Sequence, residues 1–147
     1  MNRGAWSGAI AGLVLGLFLK MIQFITGEKV YTLLLNVDFI PVIGKVDWPE
    51  VVEFLFHLII AVIIGIVFGG LLQLKKWETP LIQLLIAACL TIPTIFLYFP
   101  LTLLAHQATP GVWNGWALFY WTIGHALFMV VLLVTYRLLT RKKASSG

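Results

Sequence analysis

Four stretches of this chain stay apolar for 20 residues or more, and nothing else in the sequence restricts its fold as strongly. They run at about residues 5–26, 51–74, 80–105 and 116–139. At 1.5 Å per helical residue, each can cross about 30 Å of hydrocarbon. In hydrocarbon the backbone must satisfy its own hydrogen bonds, so isolated apolar runs of this length form helices. Composition agrees: of 147 residues, 61% are hydrophobic and 11% charged, with a mean hydropathy of +0.99. A water-soluble domain of this length could not cover its surface with so few polar residues. The expectation is an all-α polytopic membrane protein, with residues 1–147 forming a single four-helix transmembrane domain.

The connections differ in kind. "LKKWETP" (Leu74 to Pro80) is tight, and "HQATPGVWNG" (His106 to Gly115) carries proline and glycine turn signals. Between the first two spans lies "GEKVYTLLLNVDFIPVIGKVDWPE". Its apolar centre is too short to span and is interrupted by Asn36, Asp38 and Pro41, which predicts an interfacial or re-entrant segment on the outer end of the bundle. Arg3 and the stretch after it resemble a signal peptide. No small-x-small cleavage site follows, however, and the stretch continues to Ile25, so a retained helix is expected. The single cysteine, Cys89, can form no internal disulfide and reads as a small apolar core residue. In the same span Pro93 and Pro100 predict kinks that free backbone carbonyls, with Thr91 and Thr94 nearby to bond them.

Charge sets an expected orientation. In a four-span arrangement Arg3, Lys75, Lys76, Arg137, Arg141, Lys142 and Lys143 fall on one side, and Lys29 and Lys45 on the other. The positive-inside rule then places both termini in the cytoplasm. Trp6 and Trp77 lie at the inner boundary, and Trp48, Trp113 and Trp116 at the outer one, as an aromatic belt requires. The net charge of +4 is accounted for by topology, and no basic, aromatic-interleaved face points to nucleic acid.

The first span carries glycines at Gly4, Gly8, Gly12 and Gly16, and one further step of four reaches Lys20. The second span carries Glu53, His57, Ala61, Gly65 and Gly69 at the same spacing. Small residues spaced by four let two helices approach closely in lipid. Matching the spans by distance from their outer ends sets Gly8 beside Gly69, Gly12 beside Gly65 and Gly16 beside Ala61. Lys20 then meets His57 and Glu53. Ionisable groups inside a span are costly and face a partner or a wet cavity, so Lys20, Glu53, His57 and the deeper His125 form the candidate polar cluster.

"GAIAGLVLGLFLK", "HLIIAVIIGIVFG", the basic and tryptophan-bearing turn "KKWETPLIQLL", "FPL" at Phe99 to Leu101 and "GHALF" in the last span occur in that order. In order and rough spacing, from Gly8 to Arg141, this resembles the YagU-like family of small bacterial inner-membrane proteins, which has no established activity. The resemblance implies four spans, the bacterial inner membrane, and family counterparts for Lys20, His57 and His125. The longer first outer connection of that family, rich in proline and bearing Pro-Pro-Arg, is absent here.

No Walker loop, GxSxG, HExxH or CxxC occurs. Histidine and carboxylate side chains have the chemistry to bind zinc, iron or haem, but His57, His125 and Glu53 lack a diagnostic spacing. No catalytic residue, metal or cofactor is therefore expected. The leading reading is a non-enzymatic protein that assembles in the bilayer with a second copy or another membrane protein. The alternative is a proton- or ion-linked transporter or channel built on the Lys/Glu/His cluster. Reporter fusions are expected to place both termini in the cytoplasm; an exported carboxy terminus would overturn the four-span count.

Overall fold

The computed structural model describes residues 2–38 and 40–144. The side chains of Lys142 and Lys143, two of the basic residues counted above, lie outside that description. Among the described residues all regular structure is helical: α1 (Asn2–Thr26), α2 (Val30–Leu35), a 3₁₀ turn (Ile43–Lys45), α3 (Glu50–Lys75), α4 (Pro80–Phe96), α5 (Tyr98–Leu103) and α6 (Gly115–Ala144). Four stretches, Arg3–Thr26, Glu50–Lys75, Pro80–Leu103 and Gly115–Arg141, are long and apolar enough to cross a membrane. The architecture is that of a multi-pass membrane protein.

Local chemistry explains where the helices stop. α1 ends at Gly27, whose φ of 78° suits glycine and whose N–H bonds back to the Gln23 carbonyl. α3 opens after Pro49 with Glu50 and Glu53 in its first turn, where the helix dipole favours negative charge. It closes on Lys76 in the left-handed region, with the Trp77 N–H bonded to the Leu72 carbonyl at 3.1 Å. Pro80 then starts α4 at a position where its missing N–H costs nothing.

The third span is broken, as its prolines predict. Pro100 cannot donate to the Phe96 carbonyl, and the helix divides at Leu97 into α4 and α5. The threonines do not repair it. Thr94 donates to the Thr91 carbonyl at 2.6 Å, and the buried Thr91 hydroxyl has no partner among the described residues. Support comes instead from α6: the Trp121 indole N–H reaches the carbonyls of Thr94 (3.3 Å) and Ile95 (3.2 Å). Cys89 is exposed rather than in the core. α4 buries Gln83, Ala87 and Thr91, a four-residue stripe, and Cys89 lies about 200° around the helix from Ala87.

α1 is the central helix. It packs along α3 on one side and α6 on the other, while α6 packs along α4; α3 and α4 barely touch. The spans thus form an open arc, α3–α1–α6–α4. At the α1–α3 crossing a methyl on Gly8 would fall on the Ala61 carbonyl, and one on Gly65 would come within 2.7 Å of the Gly8 backbone. Gly4 faces Gly65 and Gly69, Gly12 faces Ala61, Leu58 and His57, and Gly16 lies under the Phe54 ring. This register is slipped by one to two turns from the end-matched alignment. The reason is that α1 does not stop level with the start of α3: Lys20, not Thr26, lies opposite Glu50, and the final turn of α1 rises beyond α3.

That final turn holds the connecting segment. The Gln23 side-chain oxygen accepts the N–H groups of Tyr31 (3.0 Å) and Thr32 (2.9 Å), so α1 caps the otherwise uncapped start of α2. Val30, Tyr31, Leu33 and Leu35 of α2 are buried, and α2 touches α1, α3, α5 and α6. The polar residues of the segment stitch it to the α5–α6 connection. Asn36 donates to the Leu101 carbonyl (3.1 Å), Asp38 accepts the N–H groups of His106 (2.8 Å) and Gln107 (3.1 Å), and Glu28 accepts from Asn114 (2.8 Å). At the opposite end Gly4, Gly69 and Tyr136 meet, which gathers Arg3, Lys75, Lys76, Arg137 and Arg141 there.

Gly8→Ala is expected to destabilise the protein by about 1–3 kcal/mol, because the backbones must separate. Gly70→Ala meets nothing within 4 Å and is expected to be neutral or to stabilise by up to about 1 kcal/mol. Thermal unfolding in detergent checks both; equal effects would show that the glycines do not set the crossing.

Candidate functional site

The four residues of the sequence-derived polar cluster separate into two groups. Lys20 sits on the last part of α1 with its Nζ 2.5 Å from Glu50 Oε1, both side chains about half exposed (54% and 55%). The Tyr31 hydroxyl donates to the same oxygen at 3.0 Å, and the Lys20 ammonium lies 5.3 Å from the Tyr31 ring centroid. Lys20 therefore joins α1, α2 and α3 at the capped end, and its partner is Glu50, one turn before the expected Glu53. An exposed pair of this kind contributes at most about 1 kcal/mol. Glu50 and Tyr31 were absent from the sequence reading because the slipped register, not the spacing within either span, brings them to Lys20.

Glu53, His57 and His125 face a different place. All three line one cavity of about 320 Å³ in the gap that the arc leaves between α3 and the third span. The α3 wall is Glu53, Phe56, His57, Ile59, Ile60, Ala61 and Ile64; the facing wall is Thr94, Leu97 and Leu101. Leu15 of α1 and Trp121, His125 and Phe128 of α6 form its floor. Leu34, Leu35, Asn36, Val37, Ile40 and Ile43 of the connecting segment roof it. Ile60 and Leu97 lie at the rim, 56% and 47% exposed, so the cavity opens sideways, between helices, rather than only along the bundle.

Both histidines are held by backbone carbonyls. His57 Nε2 lies 3.1 Å from the Gly12 carbonyl, and His125 Nδ1 lies 2.8 Å from the Trp121 carbonyl. A carbonyl can only accept, so each of these nitrogens carries the proton. In the neutral ring the other nitrogen, Nδ1 of His57 and Nε2 of His125, then holds a lone pair, and neither has a partner among the described residues. His125 is 5% exposed and stacks at a tilt on Trp121, with ring centroids 4.4 Å apart. Trp121 is the pivot of the site, bonding the α4–α5 break, flanking His125 and lining the cavity. The sequence offered one signal for it: an indole one turn before a histidine inside an apolar span.

The packing residues Gly8, Gly12, Gly16, Ala61, Gly65 and Gly69 all lie at or beside the α1–α3 contact. The Gly12 carbonyl that His57 binds is exposed to it by the missing side chains at that crossing. Among the described residues no group of three or more His, Cys, Asp or Glu side chains has the arrangement to hold a metal ion.

Burial, then the bond and charge of Glu50, raise the Tyr31 phenol above its ordinary range. A phenol with a raised folded-state value contributes stability that is complete below its unfolded value of about 10 and is lost as pH rises through the folded one. Wild type is therefore expected to exceed Tyr31→Phe in thermal stability up to about pH 10, and the margin to shrink above it. A margin that is flat or grows with pH would sink the Tyr31–Glu50 bond.

No protein-family model, no curated protein and no solved structure matches this chain.

Proposed function

We propose that this chain is a non-enzymatic protein of the bacterial inner membrane, with both termini in the cytoplasm, that works by binding a partner within the bilayer through the lateral cleft between α3 and the third span. The observation that carries this reading is the open arc: α3 and α4 do not close against each other, and the gap is a lined cavity with a sideways mouth. A bundle needed only for its own stability gains dispersion contacts by closing such a gap. The gathering of basic residues at one end supports the orientation, and the resemblance to the YagU-like family supports the membrane. The roofing segment, from α2 to the 3₁₀ turn, lies at the interface or re-enters the bilayer in this reading, since its buried apolar face is amphipathic and too short to span.

A second reading, proton- or ion-linked permeation, has one observation in its favour: Glu53, His57 and His125 share the cavity. Lys20, the cation that would reset such a relay, lies outside it, paired with Glu50.

The test is photocrosslinking from the rim positions Ile60 and Leu97, with the exposed Leu13 and Val130 on other faces as controls. One adduct of defined mass from both rim positions, with lipid alone at the controls, is expected. The same adducts at all four positions would remove the cleft reading. Proton flux in liposomes that His57→Ala and His125→Ala abolish, while Lys20→Ala does not, would establish permeation instead.

A further inference from the structure

The chemistry of the cleft restricts what can occupy it. Its walls are aliphatic and aromatic over most of their area, and its volume of about 320 Å³ lies at the low end of small-molecule sites. That is the space of one short apolar tail. Glu53 and His57, one turn apart near the start of α3, stand toward the roofed end, and His125 stands on the floor.

The side chains of His57, His125 and Glu53 present acceptors to the cleft. The backbone bonds of His57 and His125 leave each neutral ring with an unpartnered lone pair. Glu53 offers carboxylate oxygens, and the one amide present, Asn36, puts one of its two N–H groups on the Leu101 carbonyl while its oxygen accepts the Asp38 N–H. Among the described residues no lysine or arginine lines the cavity. An anionic head would therefore enter an apolar space facing a carboxylate with no cation to meet it, which desolvation makes costly. A cationic head could pair with Glu53, but both ions would have to give up their water in an apolar cleft, a cost that such a pair repays only with full hydrogen bonding. An uncharged donor has neither penalty. A hydroxyl, alcoholic or phenolic, can donate to one imidazole lone pair.

We infer that the cleft is a binding site for an amphiphile with one apolar tail and an uncharged hydroxyl head, the head received by the lone pair of His57 or His125 and the tail lying between α3 and Leu97. This rests on the reading of the cleft as a binding site and names the class of ligand. The ligand enters sideways from the hydrocarbon, past Ile60 and Leu97, so its tail is never exposed to water.

The experiment uses the full chain in nanodiscs, with radiolabelled 1-dodecanol as probe and unlabelled 1-dodecanol, lauric acid and dodecylamine as competitors of equal tail length. Saturable binding of dodecanol, displaced by dodecanol at least tenfold more effectively than by the acid or the amine, is the expected result. His57→Phe and His125→Phe keep an aromatic ring and remove the lone pair; since one hydroxyl donates to one lone pair, the variant lacking that acceptor is expected to weaken binding about tenfold, and no weakening in either would overturn the inference. If a histidine variant fails to fold, Ile60→Trp, on an exposed wall, fills the mouth and is expected to abolish saturable binding. Equal displacement by lauric acid or dodecylamine, still lost in Ile60→Trp, would overturn the hydroxyl-head inference and leave the cleft reading intact. Absence of saturable binding by dodecanol would overturn the inference, and a uniform crosslinking pattern at Ile60, Leu97, Leu13 and Val130 would separately remove the cleft reading.

Discussion

The close approach of α1 and α3 governs the rest of this molecule. Where Gly4 and Gly8 meet Ala61 and Gly65, the two backbones touch with no side chain between them. In hydrocarbon, burying apolar surface gives no advantage over leaving it in lipid, so dispersion at such contacts and the hydrogen bonds they permit supply the stability. The contact also fixes the register. It places the bare Gly12 carbonyl within reach of His57, brings Lys20 level with Glu50, and leaves the last turn of α1 standing above α3 as the post to which Gln23 fastens α2. One steric fact therefore positions an ion pair, a histidine and a capping segment.

The open side follows from the same arrangement. α1 spends one face on α3 and another on α6, whose Gly124 admits Leu15 and Leu19 closely, and α4 is held to α6 by Trp121 at the proline break. Nothing draws α3 toward α4 except their short connecting turn. The break at Leu97 bends the third span beside the gap, and the connecting segment closes only its upper end. A cavity remains because every neighbouring helix already has its close partner elsewhere.

Much of the architecture was legible in the residues. The four spans could be read because length and hydropathy act locally: each run must satisfy its own backbone in lipid, whatever surrounds it. The broken third span was equally legible, since a missing proline N–H is a property of one residue. The repair was not. Thr94 was near in sequence, yet it was the indole of Trp121, 26 and 27 residues away, that reached the carbonyls. Of the polar cluster, Glu53 and His57 share a face by spacing alone, whereas the presence of His125 in the same cavity depends on how α6 rotates against α1. Cys89 shows the opposite failure: a small apolar residue in mid-span reads as core, but in lipid the outside is apolar too, so hydropathy does not distinguish the two faces.

Local residues alone set the number of spans, the place where the third one breaks, the end of α1 at Gly27, the start of α3 after Pro49, and the small-residue surfaces along α1 and α3. Each of these follows from forces acting within a few residues of one another. Tertiary packing alone settled which small residues meet, that Lys20 binds Glu50 and Tyr31 rather than His57, and that the arc stays open beside two histidines. Those outcomes turn on register and rotation between helices, where a slip of one turn exchanges every partner while leaving the pattern within each helix unchanged.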